Sequence, residues 1–293
     1  MKSAPILWTN RFSHDPCPCG SGEPAYRCCW RRNGRWEKLP VGIIHASKTD
    51  FLHDRCYLSP TGNCGRTITK EHFISRNILE RITTSTLKFE GAAHFFGGKP
   101  RVEIGVDAFS AKVLCDNHNS ALSPLDAAAG LTFSAIEDLS RDLTRIAGTK
   151  RAFKSFYVSS GVDVERWMVK VYCGLVAAGK IRGASGTQVD ALQPCLLESL
   201  MGKSRLDSPL GLYMHSFVGQ TRTSGKISFG TIQLTDGTDG VGGLVLSLGM
   251  LNLVLVTSPG FGLTFNEPNW YRHQSLAFNV RHGGSRVAYL FTY

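Results

Sequence analysis

The 293-residue sequence lacks the long apolar run of a membrane-spanning protein. Its longest apolar stretch, residues 241–256, is interrupted by glycine, serine and asparagine, whereas a spanning helix needs about 20 nearly continuous apolar residues. The opening segment also lacks the basic and then apolar layout of a signal peptide. Charged residues are 19% of the chain and apolar residues 42%, a composition that excludes a wholly disordered protein. We therefore expect a globular, cytoplasmic protein with no membrane partner.

The half of the chain after residue 127 contains no internal repeat, no Walker motif and no G-x-S-x-G elbow. It therefore carries no signature of a P-loop nucleotide triphosphatase or of a serine hydrolase. Apolar residues at helical spacing predict helices over residues 123–148 and 163–176, and Thr187–Asp190 should open a third helix that is bent or broken near Pro194. Runs rich in Val, Leu and Thr predict antiparallel strands at residues 226–234, 243–248, 251–257 and 285–292.

Acidic residues are too few to balance the basic ones. The 33 Lys and Arg residues stand against 23 Asp and Glu, which gives a formal net charge of +10. This excess favours a polyanionic partner such as nucleic acid. It is spread over both ends of the chain and forms no polybasic tail.

Cysteine is abundant in the first part of the chain. Nine cysteines in a cytoplasmic chain should be reduced, and seven of them fall before residue 119, close to histidines. The first group pairs Cys17 with Cys19 and, after a Gly-Ser-Gly segment, Cys28 with Cys29. Four sulfurs can close a tetrahedral zinc site, and so short a segment would depend on the metal for its fold.

Residues 16–29 resemble the SEC-C motif, the zinc-binding tail of the bacterial preprotein translocase ATPase. The match includes the C-x-C-G-S-G start, Tyr26 and the final Cys28-Cys29 pair. The resemblance implies one structural zinc ion and a docking module, directed towards a protein or the ribosome.

The second group supplies two separated ligand pairs, Cys56 with Cys64 and Cys115 with His118. Two such pairs are what a zinc-stapled ββα finger needs, one before the first strand and one at the start of the helix. The ligand choice stays open at one position, because His53-x2-Cys56 mirrors Cys115-x2-His118 and His53 could replace Cys64. Between the pairs, Glu71-His72 ends an alternating segment and could point both side chains into a cleft.

Residues of about 50–126 resemble the HNH nucleases, the ββα-metal family, in the order of these pairs, the Glu71-His72 step and the L-C-x-x-H-N string ending at Asn119. The resemblance implies that His72 is the general base, and that Glu71 and Asn119 hold a catalytic Mg²⁺ or Mn²⁺ on the scissile phosphate. The middle asparagine of the family falls at Ser110 here. Ser123-Pro124 is itself a good helix start, which would limit the helix bearing Asn119 to a short turn.

These patterns together predict an α+β protein with two structural zinc ions. Its predicted domains are a zinc module at 1–38, an HNH-like unit at 39–126, and a helical and then β-rich region at 127–293. The expected function is metal-dependent hydrolysis of nucleic acid, with DNA as the expected substrate, and by analogy of context a role in bacterial restriction or phage defence. The alternative is a non-catalytic zinc protein that binds nucleic acid, the ribosome or another protein.

Overall fold

The structure is a computed structural model that describes residues 23–28, 30, 40–82, 86–90, 101–147, 154–183, 185–189, 191–215, 227–234, 240–248, 251–259, 271–272, 275–279 and 286–293. The chain forms two compact units. One consists of Met1–Pro40, Leu131–Gly161 and Gln274–Tyr293, and the other of Val41–Gly130 and Val162–His273. The breaks after Pro40 and Gly130 lie close to the predicted boundaries at 38 and 126, while the three-domain division itself stays a prediction.

The larger unit contains a ββα arrangement near its start. Strand β1 (Ile68–His72) pairs antiparallel with β4 (Ser110–Cys115), and helix α2 (Asp116–Ala147) begins at the next residue. Between the two strands lie helix α1 (Arg76–Ile82) and a hairpin of β2 (Thr86–Glu90) and β3 (Arg101–Gly105). The zinc-stapled finger that the two ligand pairs predict stays a prediction, since α1 and the β2–β3 hairpin separate β1 from β4 along the chain.

The same unit carries a four-stranded antiparallel sheet in the order β6-β9-β8-β7. Its strands are β6 (Gly211–His215), β7 (Ile227–Gln233), β8 (Val241–Leu248) and β9 (Leu251–Val256). Alternate residues such as Leu244, Leu246, Leu253 and Leu255 are buried, as a strand with one face on a core requires. The predicted antiparallel strands between residues 226 and 257 are confirmed.

The smaller unit contains a three-stranded sheet in the order β10-β11-β5. Strand β11 (Arg286–Thr292) pairs antiparallel with β10 (Ser275–Asn279) and parallel with β5 (Lys154–Ser160). Gly161 directly follows β5 and lies against the ring of Tyr293, which a Cβ atom at this position would meet too closely. A larger side chain here would require the Tyr293 ring to shift.

Helix α2 corrects the prediction of a short turn before Ser123-Pro124. It runs without a break through Pro124 for 32 residues. An internal proline costs about 3 kcal/mol. The helix nevertheless presents one buried stripe on both sides of the proline, formed by His118, Leu122, Leu125, Ala129, Phe133, Ile136 and Leu139. We infer that burial of this stripe outweighs the cost of the proline.

The predicted helix at Thr187–Asp190 is wrong. Gln188 forms a bridge with Arg182, and Val189 N–H donates to the carbonyl of Ile181. The helix, α4 (Pro194–Leu200), begins at Pro194 itself. Proline favours the first turn of a helix because its missing N–H is not needed there.

Helix α3 (Gly161–Ala177) confirms the predicted apolar stripe and is buried around almost its whole circumference. Besides Trp167 and Met168 it buries four charged side chains, those of Asp163, Glu165, Arg166 and Lys170. The described elements make a mixed fold of helices and small, mainly antiparallel sheets, which agrees with the predicted α+β class. Within the described ranges, no helix combines the length and the apolar character needed to cross a membrane.

Candidate metal centre

Four side chains meet in the interior of the ββα arrangement. Cys56 and Cys64 lie in the loops before β1, Cys115 ends β4, and His118 lies in the first turn of α2. All four are buried, and their ligand atoms lie within 4.8 Å of one another. The distances from His118 Nδ1 are 3.1 Å to Cys115 Sγ, 3.4 Å to Cys56 Sγ and 3.8 Å to Cys64 Sγ.

These distances suit a tetrahedral ion. Zinc binds thiolate sulfur at about 2.3 Å and imidazole nitrogen at about 2.0–2.1 Å, so a tetrahedral site separates nitrogen from sulfur by about 3.6 Å. The three observed separations bracket that value. A closed set of three sulfurs and one nitrogen is also a donor set typical of structural zinc. The cluster could therefore hold a metal ion such as zinc.

The orientation of His118 supports this interpretation. Thr61 Oγ1 lies 2.7 Å from the Leu58 carbonyl, to which only the hydroxyl can donate, and 3.2 Å from His118 Nε2. Because the hydroxyl proton is used on Leu58, Thr61 accepts a proton from Nε2–H. The Nδ1 lone pair is then free and faces the three sulfurs. Burial also lowers the pKa of His118, which favours the neutral ring that a metal requires.

Two backbone N–H groups support a thiolate at Cys115. Gly65 N–H and His118 N–H lie 3.2 and 3.4 Å from Cys115 Sγ. The Cys56 thiol has a different environment, because burial raises its pKa to about 12. A buried cation would reverse that shift, since coordination deprotonates a thiol outright. The site of Cys56 therefore disfavours a thiolate unless a metal is bound.

The structure decides between the two candidates for the fourth ligand. Cys64 belongs to the cluster, whereas His53 Nδ1 accepts the backbone N–H of Arg55 at 3.2 Å. The nearby Asn117 was not expected from the sequence. Its side chain bonds to Ser47 N–H and to the carbonyls of Ser47 and Asn63, so it ties two loops to the start of α2.

The predicted amino-terminal zinc site lies mostly outside the described residues. Cys17, Cys19 and Cys29 are not described, and Cys28 follows a short 3-10 turn at Ala25–Arg27. The four-cysteine site and its docking role stay predictions.

Glu71 and His72 do not share a cleft. Successive strand residues point to opposite faces, and the Glu71 carboxylate turns inwards, 5% exposed, to an ion pair with Lys170 of α3. Lys170 Nζ also lies 2.6 Å from Asp126 Oδ2, and Asp126 accepts the Ser75 hydroxyl at 2.5 Å. Burial raises the pKa of Glu71, while Lys170 opposes that shift. Glu71 is thus part of a buried polar network rather than a free metal ligand.

His72 lies at the end of β1 and keeps 18% of its side chain exposed. Its Nε2 is 3.7 Å from Asp107 Oδ1, beyond hydrogen-bond distance, and has no hydrogen-bond partner among the described atoms. Burial and the nearby Arg76 guanidinium lower the pKa of His72. The ring is therefore neutral at neutral pH, which is the form that can accept a proton.

Asn119 lies one turn into α2, where its side-chain amide donates to Thr69 Oγ1 of β1 at 3.0 Å. Ser110, at the position of the family's middle asparagine, donates to the Asp107 carbonyl at 2.6 Å. Glu71 and Asn119 therefore have separate partners, and His72 Nε2 has no hydrogen-bond partner among the described atoms. In the described ranges, the cysteine cluster is the one group of three or more metal-binding side chains that is close enough to share an ion.

The buried polar network around Lys170 was not predicted from the sequence. Its partners Glu71 and Asp126 are distant from it along the chain. No local pattern marks Lys170, because α3 also carries Asp163, Glu165 and Arg166. Comparison of the chain with protein-family models, with curated proteins and with solved structures gives no match.

Proposed function

We propose that the protein is a metal-dependent endonuclease of the HNH type that hydrolyses phosphodiester bonds of DNA, with His72 as the general base. The observation that carries the proposal is the position of His72 at the end of β1, in a ββα arrangement that surrounds the Cys56, Cys64, Cys115 and His118 cluster. The lowered pKa of His72 supports the same role. The structural metal would hold β4 and α2 together, and so fix the strand that carries the base.

Asp107 lies next to the proposed base. Its carboxylate is 76% exposed, and its Oδ1 stands 3.7 Å from His72 Nε2 and 3.8 Å from Arg76 Nη1. A small rotation of this exposed side chain would complete a hydrogen bond to the buried Nε2 of the ring. Asp107 is therefore better placed than Glu71 to act beside His72.

A catalytic Mg²⁺ or Mn²⁺ would stabilise the charge that develops on the phosphate and on the leaving oxygen. Glu71 could reach such an ion only by leaving Lys170, and breaking a buried ion pair costs about 3–5 kcal/mol. The geometry therefore favours a structural role for Glu71. Asn119 remains the proposed ligand, since Mg²⁺ keeps most of its water and needs only one or two protein groups.

The contacts of Glu71 and Asn119 favour a second candidate function. Both side chains are engaged inside the fold, as they would be in a zinc protein that binds nucleic acid, the ribosome or a protein without cleaving anything. Such a protein needs the cysteine cluster and not the neutral His72 ring.

Cleavage assays separate the two functions. Purified protein is incubated with plasmid DNA, single-stranded DNA and RNA in Mg²⁺, in Mn²⁺ or without divalent ions. The matched variants are His72→Ala and His45→Ala, the second at an exposed histidine outside the strand pair. We expect cleavage by the native protein and the His45 variant, and loss in the His72 variant. A native protein that cleaves no substrate would favour the binding protein.

A further inference from the structure

The outer face of the β1–β4 pair carries positive charge. Glu71 pairs with Ala111 and His72 with Ser110 across the two strands. Because alternate residues of β1 share a face, Lys70 lies on the side of His72. The register of the strand pair shifts opposite Lys70, and at this point Lys112 is the exposed residue of β4 while Val113 is buried. Lys70 and Lys112 are both exposed, while Glu71 points into the core.

A third cation joins the two lysines. The exposed Arg55 guanidinium lies beside β4, with Nη2 3.5 Å from the carbonyl oxygen of Lys112. Cys56, the next residue, is held by the metal cluster, and Tyr57 N–H donates to the Val113 carbonyl at 3.1 Å. The loop that carries Arg55 is therefore fixed along the strand. We call Arg55, Lys70 and Lys112 the basic face.

No acidic side chain among the described residues neutralises the basic face. Glu71 is paired with Lys170, and Asp107 lies near His72 and Arg76. Asp54, although next to Arg55, forms no ion pair with any of the three cations within the described structure. Like charges on neighbouring strands repel one another. This grouping of like charges does not stabilise the fold. A bound polyanion would neutralise the repulsion between them.

We propose that the basic face binds the phosphodiester backbone of nucleic acid and lays one strand beside His72. This inference rests on the proposed function for its substrate class and adds the surface that holds the substrate. The lysines act as phosphate ligands through charge, and they read no base sequence. Since His72 lies on the same face, a strand held there brings a scissile phosphate close to the ring.

Binding measurements test the basic face independently of cleavage. Fluorescence anisotropy follows a labelled DNA duplex in buffer without divalent ions, over about 50–200 mM salt, where each phosphate contact adds about 0.9 to the slope of log affinity against log salt. Lys70→Gln/Lys112→Gln should weaken binding and reduce that slope by about 2. The matched control is Lys203→Gln/Arg205→Gln, which removes the same charge from an exposed loop after α4.

The control should keep the native slope, and Lys70→Arg/Lys112→Arg should keep it too. The glutamine variant should unfold at the native temperature or above, because it removes a repulsion. Three outcomes would overturn the proposal. They are a native salt slope in the glutamine variant, an equal loss of slope in the control, and the absence of DNA or RNA binding by the native protein. Binding with the expected slopes but without cleavage would refute the proposed nuclease activity and still support the basic face as a binding surface. Equal slopes with RNA would also support the basic face and would change only the proposed substrate.

Discussion

Replacing Lys170 with methionine should destabilise the larger unit strongly. The change leaves the buried Glu71 carboxylate without its cation, and it removes a partner of Asp126 as well. Removing one member of a buried ion pair costs about 3–5 kcal/mol. Since a domain is stable by only about 5–15 kcal/mol, the variant should lose a large part of its stability.

The loss should depend on pH. Burial raises the pKa of Glu71, and Lys170 is the group that opposes this rise. Without Lys170 the folded-state pKa of Glu71 lies further above its unfolded value, so the folded variant binds more protons than the unfolded chain between the two pKa values. The contribution of protonated Glu71 to the stability of the variant is then fully present below the unfolded-state pKa of about 4.3. It is lost as the pH rises through the folded-state pKa of Glu71. The penalty should be smaller at about pH 5 than at about pH 8.

Urea unfolding followed by tryptophan fluorescence measures this loss, because Trp167 lies in the same network with its indole N–H 2.8 Å from Ser75 Oγ. The control is Glu71→Gln/Lys170→Met, which also removes the unpaired charge and should recover most of the stability. A loss below about 1 kcal/mol in the single variant, as for an exposed ion pair, would refute the reasoning. A penalty that did not change with pH would do the same.

Three further predictions concern the metal centre and the proposed base. Thr61→Val removes the acceptor of His118 Nε2–H and should lower zinc affinity by about 10–100-fold, measured by chelator competition, and unchanged affinity would contradict the orientation argued for His118. His72→Ala should lower turnover by about 10²–10⁴-fold with zinc content unchanged. Because the pKa of His72 is lowered, native activity should persist below about pH 6.5 and fall only as the ring becomes protonated. Asn119→Ala should lose activity that higher Mg²⁺ or Mn²⁺ partly restores, and a loss insensitive to metal concentration would show that Asn119 acts only through Thr69.

The ligand cluster could be predicted from the sequence because cysteine and histidine spacing is a local feature. Cys115 and His118 lie three residues apart at the junction of β4 and α2, where both side chains enter the same cluster of candidate metal ligands. Strands β7, β8, β9 and β11 could be predicted from runs rich in Val, Leu and Thr, whereas β10 (Ser275–Asn279) was not predicted. Both features depend on few residues and on little tertiary context.

Tertiary contacts account for what the sequence did not predict. Ser123-Pro124 is a good helix start in isolation, but the buried stripe of α2 continues across it. Glu71 fits the acidic position of an HNH motif, yet a lysine of α3, far along the chain, takes its carboxylate into the core. Competing local patterns and distant charge partners can be weighed only when the packing is known.

Zinc content before and after removal of one ligand tests the metal centre most directly. Native protein purified without added zinc should contain about two equivalents if both predicted sites are filled. Cys115→Ser should lose one equivalent and unfold the ββα arrangement, whereas Cys195→Ser, a change at a partly buried cysteine outside the cluster, should lose none. A Cys115→Ser protein with the zinc content of the native protein would contradict the assignment of Cys56, Cys64, Cys115 and His118 as a metal site.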